Sequence, residues 1–188
     1  MKDALDRAFE ENEPLTPKRT RAVVVVQNGW VIAERYAQGI QPDIPLIGWS
    51  MSKSITHALI GRAIQEELLD PGKPPKVPEW SDPQDPRQRF SLDQGCWDGK
   101  QLLPATWVRQ ARTASRGSKQ AYGAHWWLSR RKSRPDLPYD SFSAEGYQGQ
   151  LLLVAPSQRA VIVRLGQTPK KPRFDANAFG ADVLSALR

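Results

Sequence analysis

The sequence predicts an α+β domain: an antiparallel sheet of about five strands with helices packed on both faces. Three observations predict it. The β-branched run Ala22-Val23-Val24-Val25-Val26 is followed by Asn28-Gly29, the strongest short hairpin signal, and then by a returning run from Trp30 to Tyr36. A second pair of apolar runs, Gln150 to Pro156 and Ala160 to Leu165, is joined by the short polar turn Ser157-Gln158-Arg159. Around these strands lie segments whose apolar residues recur at helical spacing.

In chain order, residues 3–11 predict a short helix with Ala4, Leu5, Ala8 and Phe9 on one face and acidic residues opposite; Pro14 and Pro17 keep it from continuing. After the first hairpin, an apolar approach (Ile44, Leu46, Ile47, Trp49) leads into a long helix. Met51, Ile55, Leu59 and Ala63 recur along it, as do Ile60, Ile64 and Leu68, and Asp70-Pro71-Gly72 stops it. Proline density then forbids helix and central strand alike over 71–93, which reads as an extended connection. Leu103 to Val108 opens a helix with Pro104 at its first position, as N-terminal geometry permits. Tyr122 to Leu128 is an aromatic strand candidate. Phe174 to Leu187 closes the chain as a helix, with Asp175 able to cap it and Phe179, Val183, Ala186 and Leu187 on the apolar face.

A chain of 188 residues suffices for one domain with a substantial core, so 1–188 is read as a single unit. With 39% hydrophobic residues and seven tryptophans the composition is that of a folded chain. The formal charge of +7 suggests anionic partners, but the basic residues of 109–134 and Lys170-Lys171-Arg173 are explained as readily by a solvated face. No nucleic-acid module accompanies them, so no nucleic-acid partner is expected. Cys96 is the only cysteine, so no internal disulfide forms. His57 and His125 lack metal-ligand spacing, and neither a metal nor an organic cofactor is expected. The N-terminus has no long apolar segment and nothing later approaches a membrane span, which predicts a cytoplasmic protein with no membrane partner.

The chemistry centres on Gly48-Trp49-Ser50-Met51-Ser52-Lys53, a Ser-x-x-Lys where a loop becomes a helix. Three residues make just under one turn, so the Ser50 hydroxyl and the Lys53 amine share a face. Lysine takes a proton from serine only if burial or a neighbouring cation lowers its pKa from about 10.4. The helix N-terminus favours negative charge developing beside Ser50. The pattern fixes only two positions and occurs by chance in many soluble chains, so alone it is more often chance than catalysis.

Its context resembles a known family. The Trp-Ser-Met-Ser-Lys-Ser string, behind the Gln27-Asn28-Gly29-Trp30 hairpin and ahead of Gly146-Tyr147-Gln148-Gly149-Gln150, resembles the serine hydrolases related to class C β-lactamases, a group that includes penicillin-binding carboxypeptidases, esterases and nylon-oligomer hydrolases. The resemblance covers about 20–90 and 95–187. It implies Ser50 as nucleophile, Lys53 as base, and an acyl-enzyme formed with a small ester or amide. Tyr147-Gln148-Gly149 would stand for the family's substrate-binding Lys-Thr-Gly or His-x-Gly, with Tyr147 facing the cleft. Gly149 would leave room for the acyl group, and the backbone N–H groups of Ser50 and Gln150 would bind the oxyanion. A strand glycine among polar residues is otherwise a bulge.

The resemblance also implies what is missing. The family's internal helical domain would follow the proline-rich segment, yet Phe90-Ser91-Leu92-Asp93 reads as the start of its first helix and Gln94 to Lys100 as a turn near its far end. No Tyr-x-Asn or Tyr-x-Ser lies between Lys53 and Trp97; Tyr139-Asp140-Ser141 has the letters in the wrong place. Losing a general acid or base slows a reaction roughly 10²–10⁴-fold, so an impaired hydrolase is expected. The rival readings are a non-catalytic remnant that binds a ligand or partner, and a basic polymer binder. Apolar surface left by the missing domain would favour a homodimer.

Overall fold

The computed structural model describes residues 1–11, 17–70, 95–97, 100–103, 105–130, 132–171 and 173–187. Helix α1 (Lys2–Phe9) precedes the hairpin β1 (Thr20–Gln27) and β2 (Trp30–Tyr36), and α2 (Met51–Gln65) follows. A separate two-stranded hairpin, β3 (Gly95–Trp97) and β4 (Lys100–Leu103), leads to α3 (Ala105–Arg112). The chain ends with β5 (Trp127–Leu128), β6 (Phe142–Gly146), β7 (Gln150–Ala155), β8 (Ala160–Gly166) and α4 (Ala176–Ser185). The connection expected over 71–93, and with it the start of a helix at 90–93, lies outside the described residues.

Strands β2-β1-β8-β7-β6-β5 form one antiparallel sheet, so the sheet has six strands where about five were expected, the sixth only two residues long. Val23↔Arg164 and Val24↔Val163 set the register between the two hairpins. The pleat then sorts neighbours to opposite faces. Leu151, Leu153 and Ile162 join Val23 and Val25 beneath α1 and α4, all essentially inaccessible. Leu152 and Leu165 face the other way, toward Met51 of α2, Ala111 of α3 and Trp126. Each fully buried aliphatic side chain of the first face contributes about 1.5–3 kcal/mol.

Helix α4 starts where its predicted cap stands, whereas α2 already ends at Gln65, short of the Asp70-Pro71-Gly72 stop. Asp175 Oδ1 accepts from the backbone N–H groups of Asn177 and Ala178, both at 2.9 Å, and so caps α4. The aromatic strand is shorter than the seven residues expected. Only Trp127 and Leu128 pair with β6, and Tyr122 bridges back to Trp127 across a turn. His125 holds a left-handed φ of 62°, and a Cβ at Gly123 would lie 2.0 Å from the Ala111 carbonyl oxygen, so this segment folds tightly against α3 instead of extending.

Candidate active site

Ser50 stands at the N-cap of α2, already with helical backbone angles of −67° and −6°. Trp49 before it has φ 51°, a left-handed conformation uncommon in a bulky residue. That turn lifts Ser50 out of the helix mouth into solvent. Below it, Met51 is buried against Ala144 and Trp126, and Ser54 Oγ donates to the His125 carbonyl at 2.6 Å, so two anchors fix the start of α2 on the sheet.

Lys53 Nζ lies 3.1 Å from Ser50 Oγ and donates to it, as the one-turn spacing predicts. Both side chains are exposed. Burial therefore does not strip the Lys53 amine of water, and among the described residues no second cation hydrogen-bonds to the pair.

The predicted substrate strand arrives at the same place. Gly146 ends β6 so close to the Ser50 turn that a Cβ there would sit 2.3 Å from the Gly48 carbonyl oxygen. A tight 3₁₀ turn over Tyr147–Gly149 follows, with Gln148 left-handed at φ 62°. Ser50, Tyr147, Gly149 and Gln150 line one cavity of about 410 Å³. Tyr147 is half exposed and meets Trp49 edge-on at 5.6 Å; among the described residues its hydroxyl bonds to neither Ser50 nor Lys53.

Two site residues have work the sequence did not indicate. The Gln150 side chain is buried, its amide donating to the Gly166 carbonyl at 2.6 Å and its oxygen accepting from the Gly166 N–H at 3.0 Å. Gly149 has φ 78°, and a Cβ would press on the Arg164 guanidinium at 2.6 Å and on Phe174 at 2.7 Å. The packing behind the turn therefore requires glycine here in its own right, a demand the sequence did not show.

No protein-family model matches the chain, and no curated protein is similar enough to count as a match. Solved structures do match. A putative 6-aminohexanoate-dimer hydrolase from Bacillus anthracis superposes with a TM-score of 0.60 at 15% identity, over 100% of this chain and 82% of its own. A putative β-lactamase from Bacteroides dorei superposes with a TM-score of 0.58 at 12% identity, over 99% of this chain and 95% of its own. The chain has the β-lactamase-like fold. At such identities the likeness carries the architecture alone, and the site must be argued from its own residues.

Two further residues shape this candidate site. Arg164 is fully buried on β8, donating to the carbonyls of Gly149 at 2.8 Å, Gln148 at 3.3 Å and Lys18 at 2.6 Å, and to the Thr168 hydroxyl at 2.8 Å. Its guanidinium lies 4.0 Å from the Phe174 ring centroid, and burial pushes its pKa down to about 10, which still leaves it charged at neutral pH. The cation thus clamps the Tyr147–Gly149 turn from behind. Glu145 lines the same cavity, nearly buried and paired with Arg134 and with Arg173, the latter at 3.2 Å. A sequence signal existed for Arg164 alone: one arginine at an inward position of an otherwise apolar strand.

Behind Lys53 on α2, buried His57 accepts from Trp107 Nε1 through Nδ1 at 3.0 Å and stacks on that indole. Burial, with the His125 ring nearby, pushes its pKa down to about 4. Tyr139 lies at the Phe142 end of β6, away from Ser50, with the Arg130 guanidinium over its ring. Among the described residues no three His, Cys, Asp or Glu side chains gather as a metal site, and no helix is long and apolar enough to cross a membrane.

Proposed function

We propose that the chain is a serine hydrolase that forms an acyl-enzyme on Ser50 with a small ester or amide. The observation that carries this reading is the 3.1 Å contact between Lys53 Nζ and Ser50 Oγ at a helix N-terminus bordering a cavity. Neutral Lys53 takes the Ser50 proton as the oxygen bonds to the substrate carbonyl carbon, and the ammonium so formed returns a proton to the departing alcohol or amine. Water then attacks the acyl carbon by the same route and releases the acid. Tyr147 and Gly149 border the acyl group, and the N–H groups of Ser50 and Gln150 are the proposed oxyanion donors, each contributing about 2.7–4 kcal/mol in such a role. The names of the two similar structures, a hydrolase and a β-lactamase, point the same way.

Turnover is slow on this reading. Among the described residues no tyrosine hydroxyl bonds Ser50 or Lys53, so no phenol relays the proton. Incubation with p-nitrophenyl butyrate tests it: slow nitrophenol release that Ser50→Ala abolishes supports the reading.

The exposure of Lys53 favours a second reading, a non-catalytic remnant of a β-lactamase-like domain. Ile55 and Leu59, one turn apart on α2, are exposed, and on this reading they are a surface through which two copies pair. Release rates equal for wild type and Ser50→Ala, with a dimeric mass by light scattering, would support the remnant.

A further inference from the structure

At the opposite end of β6 from Ser50, roughly 13 Å along the strand, a second cavity of about 280 Å³ opens between α3 and the Tyr139–Phe142 segment. Arg109, Arg112 and Arg130 line it together. The Arg112 guanidinium lies 5.6 Å from the Phe142 ring centroid and that of Arg130 4.6 Å from Tyr139, so both planes are held by aromatic faces.

Among the described residues no carboxylate pairs with any of the three. Arg130 donates only to backbone oxygens, of Ser129 at 2.8 Å, Tyr139 at 3.2 Å and Arg112 at 3.3 Å, and its buried Nε has no partner. Arg112 reaches only the Asp140 carbonyl at 3.5 Å. The Arg109 guanidinium has no bonded partner among the described residues. The one acid lining the cavity, Asp140, turns its carboxylate to Ser157, accepting from its N–H at 2.8 Å and its hydroxyl at 3.0 Å.

We propose that this cavity binds a phosphate group carried by a small molecule. Arg109 and Arg112 fork its oxygens. Guanidinium groups suit this geometry because their parallel N–H bonds match a tetrahedral oxyanion. Two free cations at one small opening match a dianion better than a single carboxylate. A volume near the lower end of ligand pockets, typically about 300 Å³, fits a phosphate monoester and not a polymer. The site accounts for part of the basic run 109–134, which catalysis at Ser50 does not use.

The test is a melting series of the full chain in inorganic phosphate against sodium chloride at matched ionic strength, with sodium acetate as the carboxylate control. The expected result is a saturable rise in Tm with phosphate alone. Arg109→Gln and Arg112→Gln each weaken the apparent affinity about tenfold or more, as loss of a charge-assisted bond does. Without phosphate, Arg109→Gln melts no lower than wild type, because its guanidinium has no bonded partner among the described residues; this variant decides the matter if Arg112→Gln misfolds. Ser50→Ala binds phosphate like wild type, so the result is independent of the hydrolase reading. A rise that does not saturate, that acetate reproduces, or that both variants retain overturns the proposal.

Discussion

The two faces of the sheet are built differently. Beneath α1 and α4, Val23, Val25, Leu151, Leu153 and Ile162 form a closed apolar layer that water does not reach. On the α2 and α3 face, the apolar cluster has four buried members among the described residues, and buried Ser54 and His57 lie beside it. There α2 shows Ile55 and Leu59 to solvent. The first face makes most of the apolar core, and the second carries α2 with the proposed nucleophile Ser50 at its start. The two thus lie on opposite faces of one sheet, each helix layer packed about 10 Å from it.

The contrast is broken most severely on the closed face. Ile162→Ala should lower stability by about 2–5 kcal/mol, seen as a reduced urea midpoint, because the surrounding layer has little room to collapse. A drop under about 1 kcal/mol would mean that this layer is looser than its burial indicates.

On the functional face the largest expected effect depends on pH. His57 titrates near 4 in the folded chain and near 6.5 unfolded, so the unfolded state takes up the proton first as pH falls. Its contribution is complete above about pH 6.5, is lost between there and about 4, and is constant below. The shift corresponds to roughly 3 kcal/mol. Urea midpoints at pH 7 and 4.5 should differ less in His57→Gln than in wild type; equal differences would remove His57 as the cause.

Gly146→Ala should have a smaller effect on stability, about 1–3 kcal/mol, with a larger one on labelling of Ser50. The added methyl group displaces Gly48, and with it the turn that presents the hydroxyl. Stability and labelling that fall in the same proportion would argue against such a local displacement. Leu59→Ser, on the exposed side of α2, should change stability by no more than about 0.5 kcal/mol by thermal melting.

What the sequence disclosed follows the range of the forces involved. Asn28-Gly29 and the Ser157-Gln158-Arg159 turn announce both hairpins because turn geometry is local, and Asp175 marks a helix start for the same reason. The Ser50 and Lys53 contact was legible because helical spacing fixes it. Tyr122 to Leu128 was misread because aromatic residues favour strands, while the decisive fact, the approach of Gly123 to Ala111, belongs to tertiary packing. The tasks of Gln150 and Gly149 were hidden for a similar reason. One bonds Gly166 and the other makes room for Arg164, partners about sixteen residues away that only the sheet register brings together.

The central claim is that Ser50 is a nucleophile activated by Lys53. The most direct measurement is mass spectrometry of the intact chain after exposure to a fluorophosphonate, followed by peptide mapping. The account predicts a single adduct on the peptide carrying Ser50, absent from Ser50→Ala and formed at least about 10²-fold more slowly by Lys53→Met. An unmodified wild-type chain at high probe concentration, or an adduct that Ser50→Ala retains, would contradict it.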